Sequence, residues 1–347
     1  QKPMITVYSP DHQQHAPASE LIDGKFLPAV EKPERATQIL SALEPAKLGD
    51  IIAPQDFGLD PILAVHDAAY VSFLQTAWSD WIATHRSGDA FATNWVMRHF
   101  RRDRIPESID GKLGYYSFDA GTPITEGTWN AAIASAHVAL TAQSLVQSGH
   151  SSAFALCRPP GHHAAPDLFG GYCFLNNAAI AAQALLDGGA KRIVILDIDY
   201  HHGNGTQSIF YDRDDVFFIS IHADPAQEYP YFLGYADETG FGRGRGYNQN
   251  YPLPFGTTWL TYSEALTDAI HQIERYAPDG VVVSLGLDTF EKDPISWFAL
   301  TTESYRRMGV LIASLNRPTL FVMEGGYAIE ELGDNAVALL SCFKDYR

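Results

Sequence analysis

The chain has 347 residues, 46% apolar and 19% charged, with a formal net charge of −17. That apolar supply fills a sizeable core and excludes global disorder, and no apolar run approaches the ~20 residues of a membrane-crossing helix. An acidic surface repels nucleic acid and anionic membranes and favours a cationic substrate.

The chain opens QKPMITVYSP, without the apolar stretch of a secretory signal. With no initiator Met, Gln1 to Pro3 reads as a processed end or an added remnant. Residues 78–121 (WSDWIATHR to GKLGYY and the glycine at 121) are rich in aromatics and arginine and weakly periodic. A long irregular segment in a compact domain is functional or disordered, and these aromatics favour docking. WNAAIASAHVALTAQSLVQSG (129–149) predicts an Ala-rich helix ending at Gly. AFALC (153–157) predicts a strand. NNAAIAAQALLDGGA (176–190) opens on Asn and closes on Gly-Gly, a helix with its start and stop signals. RIVILDID (192–199) and VFFISIH (216–222) predict strands, and YSEALTDAIHQIERYAP (262–278) a helix. GVVVSLGLD (280–288) and TLFVME (319–324) add two more strands. Near-continuous apolar runs suit strands covered on both faces. Their alternation with helices predicts an α/β doubly wound sheet with right-handed crossovers. The three cysteines, Cys157, Cys173 and Cys342, form no C-x-x-C pair. They fit a reducing, cytoplasmic setting and argue against thiolate zinc.

Most of the unusual polar residues follow the carboxyl end of an apolar run. AFALC leads into His162 and His163, RIVILDID into Asp199 and His201, GVVVSLGLD ends on Asp288, and TLFVME leads into EGGY with Tyr327. Ligand sites of open parallel sheets form at those ends. A lone Asp there is more often a turn residue or helix cap, and a lone His pair or Tyr more often structural. Four such groups on one edge point to a shared site. If the strand stays extended, Asp197, Asp199 and His201 share one side. Imidazole plus carboxylates is a ligand set for Zn²⁺ or another divalent ion, and Asp288 can close a set with Asp199 and His201. Two carboxylates and a neutral imidazole balance a 2+ charge, leaving a position for water and substrate. An ion so placed lowers the pKa of bound water to about 7 and polarises a carbonyl. The His pair supplies a base beside that water, and a phenol at Tyr327 can stabilise an oxyanion.

RPPGHHA, ILDIDYHHGNGTQ, FFISIHADP, SLGLDTFEKDP and MEGGY, in that order, resemble the arginase/histone-deacetylase superfamily. Within it the chain is most similar to the bacterial acetylpolyamine amidohydrolases, from ITVYSPDHQQHAPASEL through VHDAAYVSFL to the C-terminus. The resemblance implies one three-layer α/β domain over residues 1–347, with a mainly parallel eight-stranded sheet between helices. It implies one Zn²⁺ per chain, with Fe²⁺ as the alternative, on Asp199, His201 and Asp288. His163 matches the general base and later acid, and His162 its electrostatic neighbour paired with Asp197. Tyr327 matches the tyrosine that polarises the acetyl carbonyl. Asp197 and Ser220 match a structural K⁺ site completed by carbonyls near Asp199, His201 and Ile221. Carbonyls around Phe210, Arg213 and Val216 match a second monovalent site. Tyr172 and Tyr229 match the tunnel walls, and Arg35 the arginine near the floor of the acetate cavity. Asn204 stands where several relatives carry Asp, beside the base. The 78–121 insertion resembles a loop for dimerisation and tunnel narrowing; its Asp110 and Asp119 can meet a distal ammonium or be plain surface acids.

The expected activity is hydrolysis of acetylputrescine, acetylcadaverine or acetylspermidine to acetate and amine by a cytoplasmic bacterial homodimer. Its expected partner is a small cationic acetylated amine, not nucleic acid or membrane. A protein acetyl-lysine deacetylase, a two-manganese ureohydrolase and a non-enzymatic polyamine or acetate sensor are the alternatives.

Overall fold

Among the described residues the strands, in chain order, are β1 (Ile5–Val7), β2 (Ser19–Ile22), β3 (Lys25–Pro28), β4 (Ile51–Ile52), β5 (Ser152–Ala155), β6 (Ile193–Asp197), β7 (Val216–Ala223), β8 (Asn248–Leu253), β9 (Gly280–Leu285) and β10 (Thr319–Met323). Eight of them form one sheet in the order β4-β1-β5-β10-β9-β6-β7-β8. Every pairing in it is parallel. The computed structural model describes residues 3–347, so Gln1 and Lys2, and the reading of the chain's start that rests on them, lie outside the described residues.

The apolar runs explain the layering. Every residue of β5, β6, β7, β9 and β10 is buried. On one face Leu196, Ile219, Val283 and Phe321 pack with Leu266, Tyr305 and Leu339 from three helices, Trp259–Tyr276, Thr302–Ala313 and Ile329–Asp345. On the other, Ile195, Phe218, Val282 and Leu320 meet Ala139, Ala142 and Ala182 from helices Thr128–Gln147 and Asn177–Asp187. Burying each large side chain stabilises the fold by about 1.5–3 kcal/mol. Alanines on the second face let those helices lie close to the sheet. Asn176 caps its helix by accepting from Ala179 N at 3.1 Å, as the sequence predicts. Helix Trp259–Tyr276 starts three residues before the predicted 262.

The sheet is parallel throughout, in line with the expected mainly parallel eight-stranded sheet, but its outer strands β1, β4 and β8 lie outside the predicted runs. β8 reads NQNYPL, and its buried Asn248 and Asn250 bond Gln207 rather than apolar neighbours. A hairpin pairs β2 with β3 around Asp23-Gly24, both at positive φ, a turn that Asp-Gly favours. Finally, residue 78 lies inside helix Ala68–Ile82, and Trp81, Ala90, Leu113 and Tyr116 enter a third buried cluster with Phe73 and Phe169. Between Ile82 and Ile109 the chain forms no helix or strand beyond an isolated bridge at Ala90, so the segment is largely irregular, as expected, with a second helix at Ile109–Tyr115 capped by Ser108. No helix among the described residues is long and apolar enough to cross a membrane.

Candidate active site

β5, β10, β9 and β6 are adjacent at the centre of the sheet. These are the strands whose carboxyl ends carry the four polar groups, so parallel register alone brings the groups together.

Asp199, His201 and Asp288 converge, with one donor atom from each lying within 4.8 Å of the others, all three residues buried. The backbone fixes their carboxylates. Tyr200 N donates to Asp288 Oδ1 at 2.8 Å, and Gly325 N donates to Asp199 Oδ2 at 2.8 Å. His201 Nδ1 lies 3.1 Å from Asp288 Oδ2. Glycine at 325 keeps the space open: a Cβ there would stand 2.6 Å from Asp199 Oδ2 and 2.7 Å from Asp288 Oδ2. Burial, then the charge of Asp199, pushes Asp288 up to about 7. Burial opposes charge on His201, yet its bonds to Asp199 and Asp288 raise it to about 10. Two carboxylates crowded without solvent hold a cation well. The donor set therefore fits a divalent ion.

Asp197 does not join this cluster, and the extended-strand argument for convergence fails. β6 ends at Asp197, and the chain then folds onto its own carboxylates. Asp199 N donates to Asp197 Oδ1 at 3.1 Å, and His201 N donates to Asp199 Oδ1 at 2.9 Å. Asp197 Oδ2 instead lies 2.8 Å from His162 Nδ1. Burial disfavours charge on His162, but Asp197, Asp199 and Glu324 outweigh it and raise its pKa well above that of a free imidazole. Ser220 lies opposite Asp197 in register, with its Oγ 2.7 Å from His222 Nδ1. His202 is buried, its Nε2 3.0 Å from Gln207 Oε1 and 3.1 Å from Asn250 Oδ1, so it serves the packing behind the site.

His163 Nδ1 lies 2.5 Å from Asn204 Oδ1. An amide oxygen only accepts, so Nδ1 carries the proton and Nε2 keeps the lone pair. Burial, then the neighbouring His162 and His201, lowers this imidazole's pKa well below the usual value. Glu324, which ends TLFVME, has a role that the sequence did not disclose. Its Oε2 accepts from Gly161 N at 2.8 Å and His162 N at 3.0 Å, and its Oε1 accepts from Ser284 Oγ at 3.1 Å. It ties the histidine loop to the sheet. Burial pushes it up to about 7. Its place directly after an apolar strand was the available signal.

A cavity of about 370 Å³ opens over the cluster, lined by His163, His201, Tyr172, Tyr229, Tyr327 and Asp119, among others. Arg35 lies beneath Tyr327, its guanidinium 4.7 Å from the ring centre. It donates to the carbonyls of Glu324 and Gly326, each at 2.6 Å, bracketing the EGG turn. Tyr172 packs edge-on to Tyr327 at 5.7 Å, and Tyr229 edge-on to His163 at 5.2 Å. Tyr172 has φ +68°, a conformation that costs a tyrosine about 1 kcal/mol or more and persists where surroundings enforce it. Asp119 and Glu228 line the cavity, and among its described lining residues none is Lys or Arg. Asp110 does not line it. That residue is exposed and forms a two-pronged ion pair with Arg86 at 2.7 and 2.8 Å, so of the two expected acids only Asp119 reaches the cavity.

The histone deacetylase domain family matches residues 29–343. The chain is 60% identical over 341 residues to acetylpolyamine amidohydrolase 2 of Pseudomonas aeruginosa, covering 98% of this chain and 99% of that protein. It is 51% identical over 337 residues to acetylpolyamine amidohydrolase of Mycoplana ramosa, covering 97% and 98%. A crystal structure of acetylpolyamine aminohydrolase from Burkholderia pseudomallei superposes with a TM-score of 0.94 at 42% identity, over 99% of both chains. These relatives and the matched domain make the protein a hydrolase of amide bonds, and the chain belongs to the histone deacetylase domain family.

Proposed function

We propose that the protein hydrolyses N-acetylated diamines or polyamines, such as acetylputrescine, acetylcadaverine and acetylspermidine, to acetate and free amine. The carrying observation is the cavity over the Asp–His–Asp cluster, walled by tyrosines and bordered by Asp119 and Glu228, with no Lys or Arg among its described lining residues. Such a slot accepts a slender cation and disfavours anions. The names of the acetylpolyamine amidohydrolase relatives support the same substrate class.

Asp199, His201 and Asp288 would hold one ion per chain, zinc or ferrous iron. A divalent ion there polarises the acetyl carbonyl and acidifies water beside it. His163 Nε2 takes a proton from the attacking water and returns it to the nitrogen as the C–N bond breaks. His162, kept cationic by Asp197, offsets negative charge that develops nearby. The Tyr327 phenol O–H donates a hydrogen bond to the acetyl oxygen as negative charge develops there. Tyr172 and Tyr229 flank the methylene chain. We assign a structural K⁺ to Asp197 and Ser220 with the carbonyls near Asp199, His201 and Ile221, since oxygen donors are what hard cations take.

A panel assay tests the substrate class. Acetate release from acetylputrescine, acetylcadaverine and acetylspermidine is expected to exceed that from an acetyl-lysine peptide about tenfold or more in kcat/KM, the scale of one well-made polar discrimination. Equal rates on the peptide would turn the reading to a protein deacetylase. The same chemistry suits a cytoplasmic enzyme with free thiols.

We assign a homodimer to the stretch 94–107. It exposes Met97, Phe100 and Ile105 together with Arg98, Arg101, Arg102 and Arg104, on a chain whose net charge is −17. A basic, apolar projection complements an acidic second copy. Light scattering is expected to give twice the chain mass, and Phe100→Asp with Met97→Asp to give the monomer mass. A parent protein of single chain mass would overturn the assignment.

A further inference from the structure

The two tyrosine walls of the cavity come from distant parts of the chain, 57 positions apart at Tyr172 and Tyr229. One carboxylate joins them. Asp119 Oδ2 accepts from Tyr229 Oη at 2.6 Å and from Gly171 N at 2.7 Å. Its Oδ1 accepts from Gly121 N at 3.1 Å and from Thr122 Oγ1 at 2.9 Å. Thr122 Oγ1 in turn accepts from Tyr172 N at 3.0 Å. Gly171 and Tyr172 are consecutive residues at positive φ, +55° and +68°. Such a turn is unfavourable for the tyrosine and needs external bonds to hold it. Asp119 and Thr122 supply those bonds to both amide groups. Asp119 is itself anchored, since the segment before it pairs with the segment before Gly171. Phe169 N donates to Tyr116 O at 2.8 Å, Phe118 N donates to Phe169 O at 3.2 Å, and the Phe118 ring stacks on Tyr229 at 6.2 Å.

We propose that Asp119 is a positioning residue that sets the separation of the two walls, and so the fit of the substrate's methylene chain. It acts through the Tyr229 hydroxyl on one side and the Gly171-Tyr172 turn on the other. Its negative charge at the cavity border is a second effect of the same group, separable by experiment. The inference rests on the proposed acetamide substrates only for its kinetic test.

The test compares Asp119→Ala, Asp119→Asn and Tyr229→Phe on two acetamides of equal length: a mono-N-acetylated diamine, which is cationic, and an N-alkylacetamide, which is neutral. Asp119→Ala is expected to lower kcat/KM about tenfold or more on both, because small misplacements of a substrate cost that much. Asp119→Asn keeps one acceptor oxygen and is expected to recover at least about a third of the parent value on the neutral substrate, a partial rescue that loss of charge alone does not affect. In the Tyr229→Phe background, Asp119→Ala is expected to cost less than in the parent, since groups in one network are non-additive. Independent, multiplying losses would overturn the proposal. So would a loss confined to the cationic substrate, which would reduce Asp119 to a charge. A crystal structure of Asp119→Ala reads the same claim without turnover: Tyr229 and the Gly171-Tyr172 turn are expected to move, and unmoved walls would overturn it. A parent enzyme inactive on both acetamides would instead defeat the proposed substrates and leave the structural arm to decide this inference.

Discussion

Replacing Tyr327 by Phe is expected to lower kcat about 100- to 1,000-fold, the cost of removing one oxyanion donor from a buried site. The residue's surroundings isolate the hydroxyl as the cause. The ring is fixed by Arg35 beneath it and Tyr172 beside it, and the backbone by Tyr327 N donating to Asp293 Oδ2 at 2.8 Å. Phenylalanine keeps all of these contacts, so KM and bound metal should change little. Burial raises the phenol's pKa well above its ordinary value, despite the opposing charge of Arg35. It therefore remains a proton donor throughout the neutral range. Steady-state kinetics on an acetylated diamine, with metal content measured on the same sample, checks this. Full retained activity would remove Tyr327 from the mechanism.

His163→Ala is expected to lower kcat about 100- to 10,000-fold, the range for a positioned general acid–base. The pH dependence identifies the group more sharply. Its pKa is lowered by burial and by the neighbouring His162 and His201. The unprotonated base thus dominates above that lowered value, and the acid limb of kcat/KM falls below the ~6.5 of a free imidazole. Asn204 Oδ1 orients the ring without adding charge. Asn204→Asp places a carboxylate on Nδ1–H, which favours the imidazolium and raises the pKa. The acid limb should then move up by about one unit or more. An acid limb unmoved by Asn204→Asp would exclude His163 as the group that titrates.

The central strands were legible because burial on both faces leaves an uninterrupted apolar run. The polar residues after them were legible because they break that run. RIVILDID and TLFVME show both signals, and their strands are neighbours of the strand from GVVVSLGLD. The edge of the sheet was not legible for the opposite reason. NQNYPL in β8 buries asparagines against Gln207 and Glu238, so its inward face is polar. Segment 78–121 is irregular over most of its length, as its weak periodicity suggests, and the apolar residues it buries pack in a separate cluster rather than at one helical period. Within the site, the Asp-x-Asp-x-His spacing suggested three ligands on one strand. The strand ends at the first aspartate, and backbone bonds to the carboxylates turn the chain. The positions of Glu324 and Asp119 stood out in the sequence, but the loops they bond lie far away along the chain, and no local pattern discloses those partners.

Asp199, His201 and Asp288 form a buried cluster that could hold a metal ion, and the proposed hydrolysis depends on one ion there. The most direct test is to strip the protein with a chelator and titrate Zn²⁺ back while following acetate release from an acetylated diamine. Activity is expected to rise from near zero and break at one equivalent per chain. A break at two equivalents, or activity that persists without metal, would contradict it.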